Sequence, residues 1–312
     1  MRTNLWSLTN ICNILFHTIY FKLTMLSRAS ILSSMNSLDN AHRAQVLKAL
    51  AEGMSLRGTA RLTGVARMTV EKLLRDLGTA CAAYQDRTLR NLSCRRVQCD
   101  EIWAFCYAKQ KNVTPAVAEK HPDAGDIWTW TAIDADSKLV LSWLIGSRDA
   151  GAAYEFMQDV ASRLRHRVQL TTDAHKPYLS AVEDAFGMDI DYAMLQKLYG
   201  SDPAAEKRYS PAQCIGTRCE TIMGDPDPKH ISTSYVERQN LTMRMHMRRF
   251  TRLTNAFSKK AEMHAHAVAV HFMWYNFAKI HQTLRVTPAM EAGVTDHVWT
   301  AEEIVALLVS TA

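Results

Sequence analysis

The stretch VQCDEIW, residues 97–103, is a short apolar run that carries a carboxylate, Asp100, at its centre and predicts a β-strand. A second stretch, VQLTTD, predicts another strand that ends at Asp173. The third, SYVERQNLTMRMHMRRF, residues 234–250, predicts an arginine-rich helix that begins near Glu237. Because strand ends and a helix can deliver side chains to one place, Asp100, Asp173 and Glu237 are candidate ligands of a divalent-metal pair.

The elements predicted around these carboxylates follow the order strand, strand, strand, helix, strand, helix, strand, long loop, helix. IWTWTAIDADSKLVLSWLIG, residues 127–146, predicts a hairpin, and GAAYEFMQDVASRLRHR, residues 151–167, predicts an amphipathic helix. This order predicts an α/β fold: a ribonuclease-H-like mixed sheet flanked by helices, preceded by a small all-α domain. The acids would then lie on the first strand, the fourth strand and a later helix.

Residues 39–80 predict that all-α domain, three helices with the spacing of a helix-turn-helix. The small Ala60 lets two helices approach, Gly64 can take the positive φ of the turn, and Val70 and Leu73 can hold the second helix. The third helix would then present its outer side to a DNA groove and phosphates, through Arg67, Thr69, Lys72 and Arg75. The alternative is a plain three-helix bundle.

Positive charge is concentrated in one segment of a chain whose net charge is +6. Between residues 238 and 260 there are seven basic residues and no acidic one, which predicts a polyanionic partner such as DNA. Arg244 and Arg248 would lie two and three turns beyond Glu237, near the acid face. The alternative is a solvated helix face. The candidate DNA-binding residues of this segment are Arg238, Asn240, Arg244, Arg248, Arg249 and Arg252.

The carboxylate set suits the chemistry of phosphodiester bonds. Two Mg²⁺ ions roughly 3.5–4 Å apart can stabilise both the attacking and the leaving oxygen, and Mg²⁺ needs few carboxylates because it keeps several waters. We therefore expect two Mg²⁺ ions, for which Mn²⁺ could substitute. Glu101, the neighbour of Asp100, is expected to point to the other side of its strand and to lie outside the metal cluster.

The remaining segments predict a simple layout. Residues 1–38 are expected to form a poorly ordered N-terminal extension, 81–95 a linker, 96–285 the catalytic domain with a loop insertion near 200–231, and 286–312 a tail with a short helix. The chain has no run of eighteen apolar residues, so we expect no transmembrane helix and no membrane partner.

The seven cysteines are odd in number and contain no CxxC pair, which fits a reduced, intracellular protein. Two pairs with four intervening residues, Cys94–Cys99 and Cys214–Cys219, could together hold zinc. Structural zinc sites usually have tighter pairs, which weakens that hypothesis.

Four segments together resemble the transposases of the bacterial insertion sequence one family, within the DDE superfamily of transposases and retroviral integrases. They are VQCDEIWAFCYAKQKN, GDIWTWTAIDADSKLVLSWLIG, QLTTDAHKPYL and TSYVERQNLTMRMHMRRFTRLTNAFSKK. The resemblance runs from about residue 40 to residue 300, and the segment around Glu237 is its most specific part. It places the family's catalytic triad on Asp100, Asp173 and Glu237, with Arg244 as the basic residue seven positions after the glutamate.

The resemblance implies a magnesium-dependent enzyme that binds terminal inverted repeats, cleaves the element ends and joins their 3′ hydroxyls to double-stranded target DNA. It also implies a homo-oligomer in the bacterial cytoplasm, associated with the nucleoid. Two features depart from the family: there is no zinc-finger segment before residue 40, and residues 1–34 do not match it. The alternatives are a ribonuclease-H-like nuclease or resolvase that cuts without joining, and a DNA-binding regulator that has lost catalysis.

Overall fold

The structure is a computed structural model that describes residues 38–200, 213–251 and 254–309. The predicted N-terminal extension, apart from Leu38, lies outside the described residues, as does Arg252. The helices are α1 (Asn40–Ala51), α2 (Leu56–Thr63), α3 (Arg67–Thr88), α4 (Pro115–Lys120), α5 (Ala150–Arg163), α6 (Pro177–Phe186), α7 (Ser234–His246), α8 (Ala261–Met273), α9 (Pro288–Glu291) and α10 (Ala301–Ala306). The strands are β1 (Arg96–Cys106), β2 (Gly125–Asp134), β3 (Val140–Gly146), β4 (Gln169–Asp173), β5 (Asp191–Gly200) and β6 (Gln213–Met223).

The strands form one six-stranded mixed sheet in the order β3-β2-β1-β4-β5-β6. β1, β2 and β3 are antiparallel neighbours, β4 and β5 run parallel to β1, and β6 is antiparallel to β5. This is a mixed α/β protein with helices flanking the sheet, and it is consistent with the predicted ribonuclease-H-like fold.

Alternation along β1 divides the buried residues between two faces of the sheet. Val97 and Cys99 belong to the same core cluster as Phe156 of α5 and Tyr178 of α6. The intervening positions from Ile102 onward belong to a second cluster, which contains side chains of α7 and α8. Each face of β1 therefore meets different helices, and this decides what its side chains can reach.

The segment near 200–231, predicted as a loop insertion, is not irregular throughout. Residues 213–223 form β6, which pairs with β5 from Tyr192 to Gly200. β6 is an edge strand whose described side chains are largely exposed, so its sequence lacks the alternation of buried apolar residues that predicts a strand. Residues 201–212 lie outside the described part of the chain.

The predicted linker, 81–95, is also corrected by the structure. Helix α3 continues to Thr88, and its buried Gln85 donates Nε2 hydrogen bonds to the carbonyls of Cys81 and Ala269, each at 3.1 Å. Leu89 and Leu92 then join the main core. Residues 81–92 are therefore part of the folded core rather than a linker between two domains.

The N-terminal part of the described chain forms three helices, α1 to α3. Gly64 follows α2 with a φ of 71°, and Val70 and Leu73 of α3 are buried. These helices do not stand apart from the sheet domain, because α3 packs along α8. Gly78 permits that approach, since a Cβ there would lie 2.5 Å from the Cβ of His266. In the C-terminal segment, Ile304 and Val305 of α10 are also buried in the main core.

Candidate active site

Asp100 and Asp173 lie side by side on neighbouring parallel strands. The register of β1 and β4 pairs Cys99 with Thr172, so the next position on each strand carries a carboxylate. Oxygen atoms of Asp100, Glu101 and Asp173 all lie within 4.8 Å of one another. We call these three residues the carboxylate cluster. Three carboxylates at this separation form a concentrated negative site that a cation can stabilise.

Glu101 was expected to lie outside this cluster, and the structure places it inside. Its side chain does leave the opposite face of β1 from Asp100, but β4 ends at Asp173. The long glutamate side chain can therefore reach the strand end without crossing another residue of β4. Strand alternation alone cannot predict this contact, because it depends on where the neighbouring strand β4 ends.

Arg148 is a site residue that sequence reasoning missed. Its Nε donates to Glu101 Oε2 at 3.0 Å, and its Nη2 donates to Asp173 Oδ2 at 3.3 Å. The guanidinium also lies 4.8 Å from the centre of the Trp128 ring. Arg148 follows the end of β3 by two residues, and only the sheet order shows that this loop meets the ends of β1 and β4.

Glu237 is held above β1 by the start of α7. Gln98 Oε1 accepts hydrogen bonds from the backbone nitrogens of Tyr235 and Val236 at 2.8 and 3.2 Å, which fixes that end of the helix on the sheet. One turn after Glu237, Asn240 Nδ2 donates to Asp100 Oδ2 at 2.8 Å. Because Gln98 and Asp100 share a face of β1, α7 lies over the Asp100 carboxylate.

The carboxylate of Glu237 is near the carboxylate cluster but is not part of it. It accepts a hydrogen bond from Thr233 Oγ1 at 2.6 Å and forms a salt bridge with Lys197 of β5. Its charge is still close enough to contribute to the raised pKa of Asp100, behind burial and the charge of Asp173. The structure therefore brings Asp100, Asp173 and Glu237 into one region, but the Glu237 carboxylate is paired with Lys197.

Burial and the charge of neighbouring carboxylates make Asp100 and Glu101 hard to ionise. Burial, followed by the charge of Asp173, raises the pKa of Asp100 to about 7 and the pKa of Glu101 to about 8. Asn240 Oδ1 is buried without a hydrogen-bond partner among the described residues, and the buried Glu101 carboxylate has the Tyr178 hydroxyl as a hydrogen-bonding neighbour. Carboxylate and amide oxygens are ligands of hard divalent cations, so this donor set fits Mg²⁺ or Mn²⁺.

These pKa shifts predict how stability depends on pH. Asp100 and Glu101 hold protons in the folded protein that the unfolded chain has already lost, so their contribution to the free energy of unfolding falls as pH rises from about 4 to about 8. Without divalent ions, we expect Asp100→Asn to be more stable than the wild type at pH 8. The slope approaches about 1.4 kcal/mol per pH unit for one group.

The measurement is chemical unfolding at several pH values with EDTA and with Mg²⁺ or Mn²⁺. The metal should stabilise the wild type more at about pH 8 than at about pH 5.5, because protons compete for the same oxygens. The difference between the wild type and Asp100→Asn isolates the site from titrating histidines elsewhere. A metal effect that is equal in both proteins would place the cation at another site.

Of the described residues predicted to contact DNA after Glu237, some lie on α7 and others follow its end. α7 ends at His246, so the prediction that Arg248 continues the acid face of one long helix is wrong. Arg249 turns inward, and its Nη1 donates to Ser258 Oγ at 3.1 Å. Arg238 and Arg248 are exposed, and Arg244 is half-buried. Asn240, also proposed for DNA contact, is buried and bonded to Asp100.

On the outer side of α3, Arg67, Thr69 and Lys72 are exposed. Arg67 lies 3.5 Å from Glu71, and Lys72 forms an ion pair with Asp76. Arg75 differs, because its Nε lies 3.3 Å from Glu262 Oε1 at the start of α8. The packing of α3 along α8 therefore engages the Arg75 side chain, whereas Arg67, Thr69 and Lys72 stay exposed.

The four cysteines considered for zinc are not brought together in the part of the chain that the structure describes. Cys94 and Cys99 are buried, while Cys214 and Cys219 are exposed on β6. β4 and β5 separate β1 from β6, a distance of about 14 Å at ordinary strand spacing. Among residues 38–200, 213–251 and 254–309, the carboxylate cluster brings three potential metal ligands together, and no group of cysteines does so.

Comparisons with known proteins add little to this geometry. No protein-family model matches the chain, and no curated protein matches it. A cryo-EM structure of a piggyBac transposase synaptic complex with hairpin DNA is similar to 93% of this chain and 75% of that chain, with 8% sequence identity and a TM-score of 0.39. A similarity of this size assigns no family, so the functional argument depends on the site itself.

No helix within the described ranges combines the length and apolar character needed to cross a membrane.

Proposed function

We propose that the protein is a DDE-type DNA transposase. It would bind the terminal inverted repeats of an insertion sequence, cleave the element ends and join their 3′ hydroxyls to target DNA. The observation that supports this most is the pairing of Asp100 and Asp173 on adjacent parallel strands, with Glu237 presented by α7. Acids from two strands and a later helix are the arrangement that the resemblance implies.

Asp100, Asp173 and Glu237 would hold two Mg²⁺ ions, or Mn²⁺ in their place. When bound, such ions polarise the attacking oxygen and stabilise the leaving oxygen of a phosphodiester. Glu237 must release Lys197 to take part, and Asp173 must release Arg148. Asn240 holds the Asp100 carboxylate in place through its hydrogen bond, so we assign it a positioning role.

The basic side chains around the site would hold DNA. Arg238 and Arg248 are exposed beside the acid helix, and guanidinium groups can bind phosphates in a bidentate manner. Arg67, Thr69 and Lys72 form a separate exposed face on α3, which suits recognition of the element end. Two element ends must be processed together, so we propose that the protein acts as a homo-oligomer in the bacterial cytoplasm.

The test is a transposition assay with the gene and its natural flanking DNA on a donor plasmid and a second plasmid as target. Joined products that carry inverted repeats at both junctions support the proposal. Cut donor without joined products would indicate a nuclease or resolvase. Binding to the flanks without any cleavage would indicate a DNA-binding regulator.

We expect Arg67→Ala and Lys72→Ala to weaken binding to the element end by about tenfold, which corresponds to the loss of one base or phosphate contact. The measurement is a titration of labelled end DNA in EDTA, where no cleavage occurs. Lys120→Ala is the matched control, because Lys120 is an exposed lysine on a different helix, α4. Equal affinity in all four proteins would remove the role of α3 in end recognition.

A further inference from the structure

A line of aromatic side chains leads away from the carboxylate cluster along β1. Glu101, Trp103 and Phe105 occupy alternate positions on the strand and therefore share one face. Trp128 lies on the same face, because it pairs with Trp103 across β1 and β2. These rings begin beyond the end of β4, on the face of β1 opposite Asp100 and α7, so they lead to the Glu101 and Arg148 side of the carboxylate cluster.

A distant segment supplies one more ring to this face. An isolated bridge joins Cys106 to Ser258, and the nitrogen of Tyr107 donates to the Ser258 carbonyl at 2.8 Å. This places Phe257 against Phe105, with ring centres 4.9 Å apart and planes at 28°. The ring centres of Trp103 and Phe105 are 5.6 Å apart. We call Trp103, Phe105, Phe257 and Trp128 the aromatic track, and all four are half-buried.

Each ring of the aromatic track has a cation over it. Lys109 Nζ lies 5.6 Å from the centre of Trp103 and 5.9 Å from that of Phe105. Lys259 Nζ lies 3.9 Å from the centre of Phe257, and the Arg148 guanidinium lies 4.8 Å from that of Trp128. Cations spaced between aromatic rings complement a chain of phosphates and bases.

Two acids beside the far end of the track, Asp126 and Asp123, accept hydrogen bonds from backbone nitrogens. Asp126 accepts from the nitrogen of Gln110 at 3.0 Å, and Asp123 accepts from the nitrogen of Ala261 at 3.3 Å. Neither carboxylate forms a salt bridge with Lys109 or Lys259 among the described ion pairs. The lysines can therefore turn from the rings to phosphates when bases arrive.

We propose that the aromatic track binds unpaired nucleotides of the DNA strand that enters the carboxylate cluster. Bases would stack on Trp103, Phe105 and Phe257, while Lys109 and Lys259 pair with the phosphates between them. A base can stack on an aromatic side chain only when it is not already stacked between its neighbours in a duplex. The partner is therefore single-stranded DNA. This inference rests on the proposed function and adds that the DNA end reaches the carboxylate cluster as a single strand.

The test compares binding of labelled oligothymidine and of duplex DNA, each about 20 nucleotides long, by fluorescence anisotropy in EDTA. Trp103→Leu and Phe257→Leu should each weaken binding to oligothymidine by roughly 5- to 150-fold, the range for one lost base stack. Duplex binding should stay within about twofold, because the recognition face of α3 is intact. Trp103→Phe should retain most of the affinity, since it keeps a ring.

Tyr154→Leu is the control, because Tyr154 is an exposed ring on α5, outside the track. If a leucine variant fails to fold, Lys109→Gln with Lys259→Gln tests the same site through exposed or half-buried side chains, and should lower both the affinity for oligothymidine and its salt dependence. Unchanged binding in the leucine variants and the lysine variant would show that the rings only pack the end of β1. Equal losses for oligothymidine and duplex would also overturn the proposal.

These outcomes are independent of catalysis. Oligothymidine binding in EDTA tests the aromatic track even if the chain never joins DNA strands. The transposition assay tests the proposed function even if the track binds nothing. A chain that loses oligothymidine in Trp103→Leu but yields no cut or joined product would support the track and contradict the transposase.

Discussion

Asp100→Asn and Asp173→Asn are each expected to lower the rate of DNA strand cleavage and joining by at least about 10³-fold, because metal-assisted charge stabilisation is worth several kcal/mol and each 1.4 kcal/mol is tenfold. Each substitution keeps the size of the side chain but removes a charged ligand. Binding to the element end should remain within about twofold, since the exposed face of α3 is unchanged. The measurement is single-turnover cleavage of a labelled element end with Mg²⁺.

The matched control for this pair is Asp184→Asn. Asp184 is an exposed carboxylate on α6, outside the carboxylate cluster, so its loss removes a charge without touching the site. Cleavage at the wild-type rate in Asp100→Asn or Asp173→Asn would refute the assignment of that residue. Loss of end binding together with cleavage would instead point to a folding defect, which circular dichroism would detect.

Glu237→Gln is expected to lower the cleavage rate by at least about 10²-fold, whereas Glu101→Gln should lower it by less than about tenfold. Both glutamates are near Asp100, but their surroundings differ. The Glu101 side chain is fully buried and bonded to Arg148, while 37% of the Glu237 side chain is exposed, open to both cation and DNA. Glu237 can therefore exchange its lysine partner for a metal at little cost in desolvation.

The comparison of these two variants decides which glutamate completes the metal site. The reverse result, with a large loss in Glu101→Gln and a small one in Glu237→Gln, would assign the metal to Asp100, Glu101 and Asp173. Lys197→Gln is a useful companion, because it removes the partner of Glu237 without changing any carboxylate. It should tighten Mg²⁺ binding, measured as the concentration that gives half-maximal cleavage.

The sequence predicted the order of the strands well, with one omission. Alternation in β1, and the abrupt change from VQLTTD to a helix, are local signals that do not depend on the rest of the chain. The described structure has the strands in the predicted order and adds β6. That strand was missed because both its faces are largely exposed, which leaves no periodic pattern of burial to read.

The helices were predicted less well where their ends depend on packing. α3 extends through the predicted linker because Gln85 and Leu89 are buried against other elements. α7 ends at His246, short of the predicted residue 250, although Met247 and Phe250 are buried in the same core cluster as Val236 and Met243. Apolar spacing alone cannot distinguish a helical residue from a residue of a following turn that packs on the same core.

By itself, the sequence determined which elements carry Asp100, Asp173 and Glu237, since alternation and helical period are properties of neighbouring residues. Only the tertiary structure decided which side chains meet them. Glu101 joins the site because β4 ends at Asp173. Arg148 joins it because the loop after β3 places its guanidinium over the Trp128 ring and beside Glu101. Phe257 reaches Phe105 through one backbone bridge from a segment far along the chain. Such contacts depend on strand register and strand length, which no local pattern encodes.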